Sequence, residues 1–198
     1  MGNPLLIGSG NRDKAAELRE LLHDTSWDVI SLAQMPLVGE PEETAESFKG
    51  NALLKARYYG GHYEMPCVAD DSGLEVDALG GAPGVFSARY AGPNCTYADN
   101  NLKLLEALKD VPDAERTGRF VCCAAFVDRD GSSHVTMGTV EGLIAQEPKG
   151  SLGFGYDPLF IPLGQELTFA QMPPEEKHRV SHRGRAFRAM REFLAGRV

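Results

Sequence analysis

The chain has 198 residues, of which 42% are hydrophobic and 24% charged, and its formal net charge is −8. This composition is typical of an ordinary globular protein with a buried core, and the acidic balance argues against a general nucleic-acid binder. The length indicates one domain over residues 1–198, or two lobes sharing a core. The apolar runs are too short for a signal peptide or a membrane span, so we expect a cytoplasmic protein with no membrane partner.

The apolar periodicity predicts strands and helices that alternate along the chain. The predicted strands are 5–8, 27–32, 66–69, 118–128 and 133–146, and the predicted helices are 12–22, about 43–57, 97–109 and about 181–194. Asn11 is the expected cap of the first helix. The sequence DRDG between the two long strands indicates a hairpin. This alternation predicts an α/β fold in which helices flank a mixed central β-sheet.

Residues 8–14, GSGNRDK, combine a strand end, a glycine turn and a helix start. Backbone N–H groups at a helix N-terminus, with Lys14 one turn further on, suit a phosphate. The segment is neither a Walker A motif nor a GxGxxG motif, because Asp13 stands where the last glycine would be. An ordinary strand–turn–helix corner explains the same sequence equally well.

The segment VADDSG (68–73) places two adjacent carboxylates, Asp70 and Asp71, at a predicted strand end. Such carboxylates repel each other unless a cation or a proton compensates. Magnesium binds carboxylate oxygens and takes waters and substrate phosphates as its other ligands. Ser72 and Gly73 are then expected to turn the chain sharply. The alternative to the metal site is an Asx-type turn with both acids in solvent. The neighbouring motifs favour the metal site slightly.

Further polar residues fall on the predicted helix in PEETAESFKGNALLKA (41–56). Glu42 and Glu43 are predicted at its N-terminus, where the helix dipole alone would favour them. Asn51 and Lys55 are four residues apart and share a helix face, so they could reach one ligand together. A solvent-facing polar stripe has the same spacing.

Two segments near the C-terminus supply aromatic and basic side chains. GFGYDP (153–158) sets Phe154 and Tyr156 among glycines, where exposed rings would form a stacking surface for a nucleobase. The alternative is an aromatic plug of the core. KHRVSHRG (177–184) supplies donors for a phosphate or a purine carbonyl, and its Ser181 could simply cap the last helix.

Together the segments GSGNRDK, EETAESFKGNALLKA, ADDSGLEVDALGGAPGVFSARYAG, GFGYDP and SHRG resemble the inosine/xanthosine triphosphate pyrophosphatase family. The resemblance runs from about residue 5 to residue 194. It implies two lobes with an active-site cleft between them, and usually a homodimer. It also implies Mg²⁺-dependent hydrolysis of deaminated purine nucleoside triphosphates (ITP, dITP, XTP) to the monophosphate and pyrophosphate.

The resemblance also implies a role for individual residues. The triphosphate would be wrapped by Ser9, Gly10, Asn11, Arg12, Asp13 and Lys14. Glu42 and Asp71 would hold Mg²⁺, Asp71 would also be the catalytic base, and Ser72 would touch the substrate. The base and sugar would contact Phe154, Gly155, Tyr156 and Asp157, and the pocket would be completed by Lys177, His182 and Arg183. Ser9 replaces a threonine common in the family, and His178 replaces a common asparagine.

Two other functions compete with this interpretation. A pyrophosphatase for other modified nucleotides predicts the same acids with a different base pocket, and the GFGYDP and SHRG segments argue against it. A non-catalytic nucleotide sensor would be expected to lose an acid, whereas Glu42, Asp70 and Asp71 are all present.

Overall fold

The computed structural model describes residues 3–10, 12–23 and 25–197, apart from the side chains of residues 12–15 and 17. The predicted cap Asn11 lies outside these residues. The strands are β1 (Asn3–Ile7), β2 (Trp27–Ser31), β3 (Cys67–Val76), β4 (Thr117–Val127), β5 (Ser133–Ile144) and β6 (Phe160–Pro162). The helices are α1 (Arg12–Leu22), α2 (Phe48–Tyr63), α3 (Tyr97–Ala107), α4 (Pro174–Val180) and α5 (His182–Ala195).

The strands form one mixed sheet in the order β2-β1-β3-β4-β5-β6. β1 pairs in parallel with β2 and β3, whereas β5 and β6 are antiparallel. β4 and β5 are neighbours joined by the turn 128–132, in which Asp128 N–H donates to Ser132 O at 2.9 Å. A connection this short joins antiparallel strands, as the DRDG sequence predicts. The predicted α/β fold with a mixed sheet is confirmed.

The chain forms two compact units, each with its own core. Unit 1 comprises Met1–Asp71, Cys122–Gly138 and Arg185–Val198, and unit 2 comprises Ser72–Val121 and Thr139–Gly184. The core of unit 1 includes Leu5, Leu18, Leu22, Val68, Phe126, Phe187 and Met190. The core of unit 2 includes Leu74, Leu104, Leu108, Phe120, Tyr156, Phe160 and Phe169. The single domain over 1–198 stays a prediction.

Helix α2 begins later than the sequence predicts. The Ser47 hydroxyl accepts a hydrogen bond from Gly50 N–H at 3.1 Å, which makes Ser47 the N-cap and Phe48 the first helical residue. The predicted start near Glu43 is therefore wrong. Glu42 and Glu43 belong to the irregular segment before the helix, so the helix dipole does not account for their presence.

Strand β3 is longer than predicted and contains both acids. It continues through Asp70, Asp71, Ser72 and Gly73 to Val76, so the sharp turn predicted at Ser72–Gly73 is wrong. Beyond the acids the strand still buries Leu74 and Val76, which keeps it paired within the sheet. Because successive side chains of a strand point to opposite faces, the two carboxylates do not lie side by side.

The sequence did not predict two short elements, β6 and α4. Three and seven residues are too few for a clear apolar period. The predicted cap of the last helix is confirmed, because the Ser181 hydroxyl accepts a hydrogen bond from Gly184 N–H at 3.1 Å.

None of the described helices is both long enough and apolar enough to cross a membrane.

Candidate functional site

In unit 1, a group of polar side chains surrounds Asp71. Lys55 Nζ donates to Asp71 Oδ1 at 2.8 Å and to Glu43 Oε1 at 2.6 Å. Asn51 Nδ2 donates to Asp71 Oδ2 at 3.3 Å. We call these four residues the Asp71 cluster. The expectation that Asn51 and Lys55 reach one partner together is confirmed, with the carboxylate of Asp71 as that partner.

Burial and neighbouring charges act against each other in the Asp71 cluster. Burial raises the pKa of Asp71 above its ordinary value, and the ammonium group of Lys55 offsets only part of this effect. Burial by itself would lower the pKa of Lys55, but the charges of Asp71 and Asp70 raise it well above normal. Lys55 therefore stays protonated and supplies a fixed positive charge to the cluster.

Asp70 has a different environment from its neighbour. It is buried, and Cys122 Sγ lies 3.8 Å from its Oδ2 as a weak hydrogen-bond donor. The charge of Asp70 also raises the pKa of Lys55, so Asp70 acts electrostatically on the Asp71 cluster. The two acids therefore differ in their contacts, because Asp70 contacts Cys122 whereas Asp71 contacts Lys55 and Asn51.

Glu43 was not among the residues to which the sequence assigned a role. Its carboxylate contacts Lys55 and raises the pKa of Asp71, whereas the predicted metal ligand Glu42 is exposed. Asn51 Oδ1 accepts a hydrogen bond from Ala45 N–H at 3.0 Å, which fixes this segment near α2. The sequence could have indicated Glu43 only through the Glu42–Glu43 pair, because either carboxylate of this pair could be the predicted metal ligand.

The donor set of the Asp71 cluster suits magnesium. The described residues include no group of three or more His, Cys, Asp or Glu side chains arranged to hold a metal ion. Magnesium sites commonly use only one or two carboxylates, with waters and phosphates as the remaining ligands. Asp71 and Glu43 provide two carboxylates beside a cation, which shows that this environment accommodates positive charge.

The predicted phosphate turn is only partly described. Gly8 packs so closely that a Cβ atom there would lie 2.9 Å from Cys67 Sγ and 3.0 Å from the Tyr59 ring. Ser9 is half-buried and Gly10 is exposed. Asn11 lies outside the described residues, as do the side chains of Arg12, Asp13 and Lys14, whose backbone forms the start of α1. Phosphate binding by residues 9–14 stays a prediction.

In unit 2, the glycine loop 153–157 presents Phe154 to two cations. Gly153 and Gly155 flank this ring with φ angles of 72° and 65°, a left-handed conformation that favours glycine. Lys177 Nζ lies 5.2 Å and the Arg183 guanidinium carbon 5.3 Å from the Phe154 ring centroid. The structure thus brings together three residues that the sequence assigned to the base pocket.

Asp157 holds the loop in place. Its Oδ2 accepts hydrogen bonds from Lys177 Nζ at 2.5 Å and from Phe154 N–H at 2.8 Å, and the side chain is buried. A Cβ atom at residue 153 would lie 2.1 Å from this oxygen, so only glycine fits there. Asp157 therefore orders the loop and positions Lys177, and its contact with the base and sugar, which the family resemblance implies, stays a prediction.

Tyr156 does not belong to an exposed stacking surface, contrary to the sequence prediction. Only 4% of the residue is exposed, and its hydroxyl donates to Ser87 O at 2.9 Å. Burial raises the pKa of this phenol, as expected for a group in the core. Both alternatives considered for the loop are therefore found in it, because Tyr156 packs in the core and Phe154 remains partly accessible for stacking.

The remaining predicted residues of unit 2 are Ser72, His182 and Arg183. Arg183 Nη2 donates to Ser72 Oγ at 3.3 Å, so these two residues lie together. The His182 ring is buried and stacks on Phe120, with 4.6 Å between centroids and 10° between ring planes. The ring of His182 is thus held against an aromatic side chain of unit 2, and its contact with the substrate stays a prediction.

Comparison with known proteins gives matches over nearly the full length. The profile of the Ham1 family matches residues 5–193. A curated relative from Thioalkalivibrio sulfidiphilus, named dITP/XTP pyrophosphatase, is 46% identical, covering 98% of this chain and 99% of its own. A relative of the same name from Cutibacterium acnes is 45% identical, covering 94% and 93% of the two chains.

Solved structures agree with this result. A HAM1 protein from Coxiella burnetii superposes with a TM-score of 0.91 at 40% identity, covering 98% of this chain and 99% of its own. A structure from Mycobacterium abscessus, described as a nucleoside-triphosphatase and dITP/XTP pyrophosphatase, gives a TM-score of 0.80 at 46% identity, with 94% and 98% covered. The sequence resemblance is confirmed, and the chain belongs to the Ham1 family.

Proposed function

We propose that the protein hydrolyses deaminated purine nucleoside triphosphates, ITP, dITP and XTP, to the monophosphate and pyrophosphate. The shared name of its curated relatives, dITP/XTP pyrophosphatase, supports this substrate class. The observation that supports the chemistry is the Asp71 cluster. In it, Lys55 and Asn51 donate hydrogen bonds to the buried carboxylate of Asp71 and so fix its orientation. We further propose that the enzyme depends on Mg²⁺ and acts as a cytoplasmic homodimer.

The Asp71 cluster supplies what the hydrolytic step needs from the protein. A water oxygen attacks the α-phosphorus, its proton passes to the carboxylate of Asp71, and pyrophosphate leaves. The pKa of Asp71 is raised by burial, which makes the carboxylate a better proton acceptor than an exposed aspartate. A carboxylate has about four acceptor positions, so the bonds from Lys55 and Asn51 leave capacity for the water.

Asp71 and one carboxylate of the Glu42–Glu43 pair would hold Mg²⁺, and Glu43 is the one that the fold brings to the Asp71 cluster. When bound, the ion neutralises phosphate charge and orients the triphosphate. Lys55 holds Asp71 in position through the 2.8 Å contact with Oδ1. The glycine turn and the start of α1 would contact the remaining phosphates.

The Phe154 region of unit 2 would select the base. A 6-oxopurine presents a carbonyl acceptor where adenine presents an amino donor, so cationic donors favour the former. Lys177 and Arg183 lie against Phe154 and provide such donors. A site built on hydrogen-bond donors rejects a mismatched base strongly, because its polar groups are left unpaired.

The test is a pyrophosphate-release assay with the purified protein and Mg²⁺ across the natural triphosphates and ITP, dITP and XTP. We expect pyrophosphate from the deaminated purines and much slower cleavage of ATP. Asp71→Asn serves as the inactive control, which attributes the activity to this chain. Cleavage of ATP as fast as ITP, or release of orthophosphate alone, would overturn the proposal.

A further inference from the structure

Tyr97 lies beside the glycine loop of unit 2, outside the motifs assigned to the site. It is the first residue of α3, and 51% of it is exposed. Its ring centroid lies 6.1 Å from that of Phe154, with 35° between the ring planes. The two rings therefore form one continuous aromatic surface, part of which faces solvent.

The position of this tyrosine is fixed by α3 at two points. Thr96 caps the helix, because its hydroxyl accepts from Asp99 N–H and the Asp99 carboxylate accepts from Thr96 N–H. One turn after Tyr97, Asn101 Nδ2 donates to Gly155 O at 3.0 Å. Residues four apart share a helix face, so the face that carries Tyr97 is attached to the loop that carries Phe154.

The hydrogen bond from Asn101 leaves the other polar atom of this side chain buried and unpaired within the described part of the chain, which is consistent with a positioning role. Because Gly155 O is an acceptor, the amide nitrogen must face it, and this fixes the orientation of the side chain. Asn101 Oδ1 is then buried without a hydrogen-bond partner among the described residues. Unpaired buried acceptors are unfavourable and uncommon in folded proteins, and they call for an explanation such as a functional constraint.

We propose that Tyr97 is a further base-contacting residue, and that the purine ring lies across the exposed part of the surface formed by Phe154 and Tyr97. The inference rests on the proposed function. The rings are too close for a base to insert between them, because two stacking contacts of about 3.5 Å would be needed. The base therefore lies on the pair, where Tyr97 widens the surface offered by Phe154.

The experiment compares Tyr97→Ala and Tyr97→Phe with Leu102→Ala, a control on the same helix at a residue that is 66% exposed. Steady-state kinetics with ITP are combined with inhibition by the two products, IMP and pyrophosphate. We expect Tyr97→Ala to raise KM for ITP and to weaken inhibition by IMP about three- to tenfold. Inhibition by pyrophosphate, which lacks a base, and the melting temperature should stay unchanged.

Tyr97→Phe keeps the ring and should recover the affinity for IMP. Unchanged IMP inhibition in Tyr97→Ala would overturn the inference, as would an equal loss in Leu102→Ala. The proposed function fails separately, if the wild-type protein neither hydrolyses ITP nor is inhibited by IMP. Phe154→Ala completes the comparison, because weakened IMP binding there but not in Tyr97→Ala restricts the stacking surface to Phe154.

Discussion

Asp71 combines two properties that a general base needs, a raised pKa and a fixed direction. Burial raises the pKa, and the bonds from Lys55 and Asn51 set the orientation of the carboxylate. Removing its charge should therefore affect chemistry far more than folding. Lys55 would keep its contact with Glu43 after such a change, so its ammonium group would retain a counter-charge.

Asp71→Asn preserves the shape of the side chain and removes both the negative charge and the proton acceptor. We expect kcat to fall at least about a hundredfold, the usual minimum for a positioned general base. Asp70→Asn is the matched control, because Asp70 contacts Cys122 and is predicted to matter less for turnover. Near-normal turnover of Asp71→Asn at saturating Mg²⁺ would place the base elsewhere, with Asp70 as the next candidate.

Glu42 and Glu43 form a natural pair for locating the second metal ligand. The family resemblance assigns Glu42, whereas the fold brings Glu43 to Lys55 and Asp71. We expect Glu43→Gln to raise the Mg²⁺ concentration for half-maximal rate more than Glu42→Gln does, because its carboxylate faces the cluster. Magnesium titrations of ITP hydrolysis give the answer, and the reverse order would restore Glu42 as the ligand.

Substitutions of Phe154 and Tyr156, two residues of the same loop, are expected to affect different quantities, substrate binding for Phe154 and stability for Tyr156. Phe154→Ala should lose about 1–3 kcal/mol of binding across purines, without a change in which purine is preferred. Tyr156→Phe removes the buried bond to Ser87 O and should cost about 1 kcal/mol of folding free energy with KM unchanged. Thermal melts and kinetics on both variants distinguish the effects. A Phe154→Ala protein with lower stability and normal KM would make Phe154 a core residue.

At the level of elements, the loop 153–157 depends on glycine for two different reasons. Gly153 and Gly155 both have positive φ, but only residue 153 also lacks space for a Cβ atom. At Gly155 no atom of the described residues, apart from its two chain neighbours, lies within 4 Å of that position. Substitutions at the two positions therefore distinguish backbone strain, which both would cause, from a steric clash with Asp157, which only a change at residue 153 would cause.

Gly155→Ala should cost about 1–3 kcal/mol of stability through the left-handed backbone alone. Gly153→Ala should cost more and also raise KM for ITP, because the new methyl group displaces the Asp157 carboxylate that holds Lys177 and Phe154. Denaturant unfolding and steady-state kinetics on both variants test this. If the two substitutions change stability and KM equally, the Asp157 carboxylate has adjusted to the new methyl group without losing its contacts.

For the whole molecule, the prediction concerns assembly. The family resemblance implies a homodimer, so we expect light scattering at micromolar concentration to give about twice the chain mass of 21.5 kDa. A mass equal to one chain across this range would contradict the prediction. Hydrolysis of ITP measured over the same dilution series would show whether the activity follows the assembly.

The amino-acid sequence was sufficient to predict the elements that depend on local periodicity. Helix α1 has the predicted bounds, β4 and β5 form the expected hairpin, and Ser181 caps α5. The four-residue spacing of Asn51 and Lys55 placed both on one helix face, because helical geometry alone fixes that relation. The five ordered segments were also sufficient for the family, since their residue types and order do not depend on packing.

Where two similar residues lie close together in the sequence, the packed fold was needed to show which one enters the Asp71 cluster or the core. Glu43 rather than Glu42 joins Lys55, and Tyr156 rather than Phe154 enters the core. The same applies to β3, which continues through Asp71 because its later residues are buried by the sheet. Local sequence offers both residues of each pair equally. The choice depends on distant segments, such as Ser87 for Tyr156, whose position is set by the packed fold.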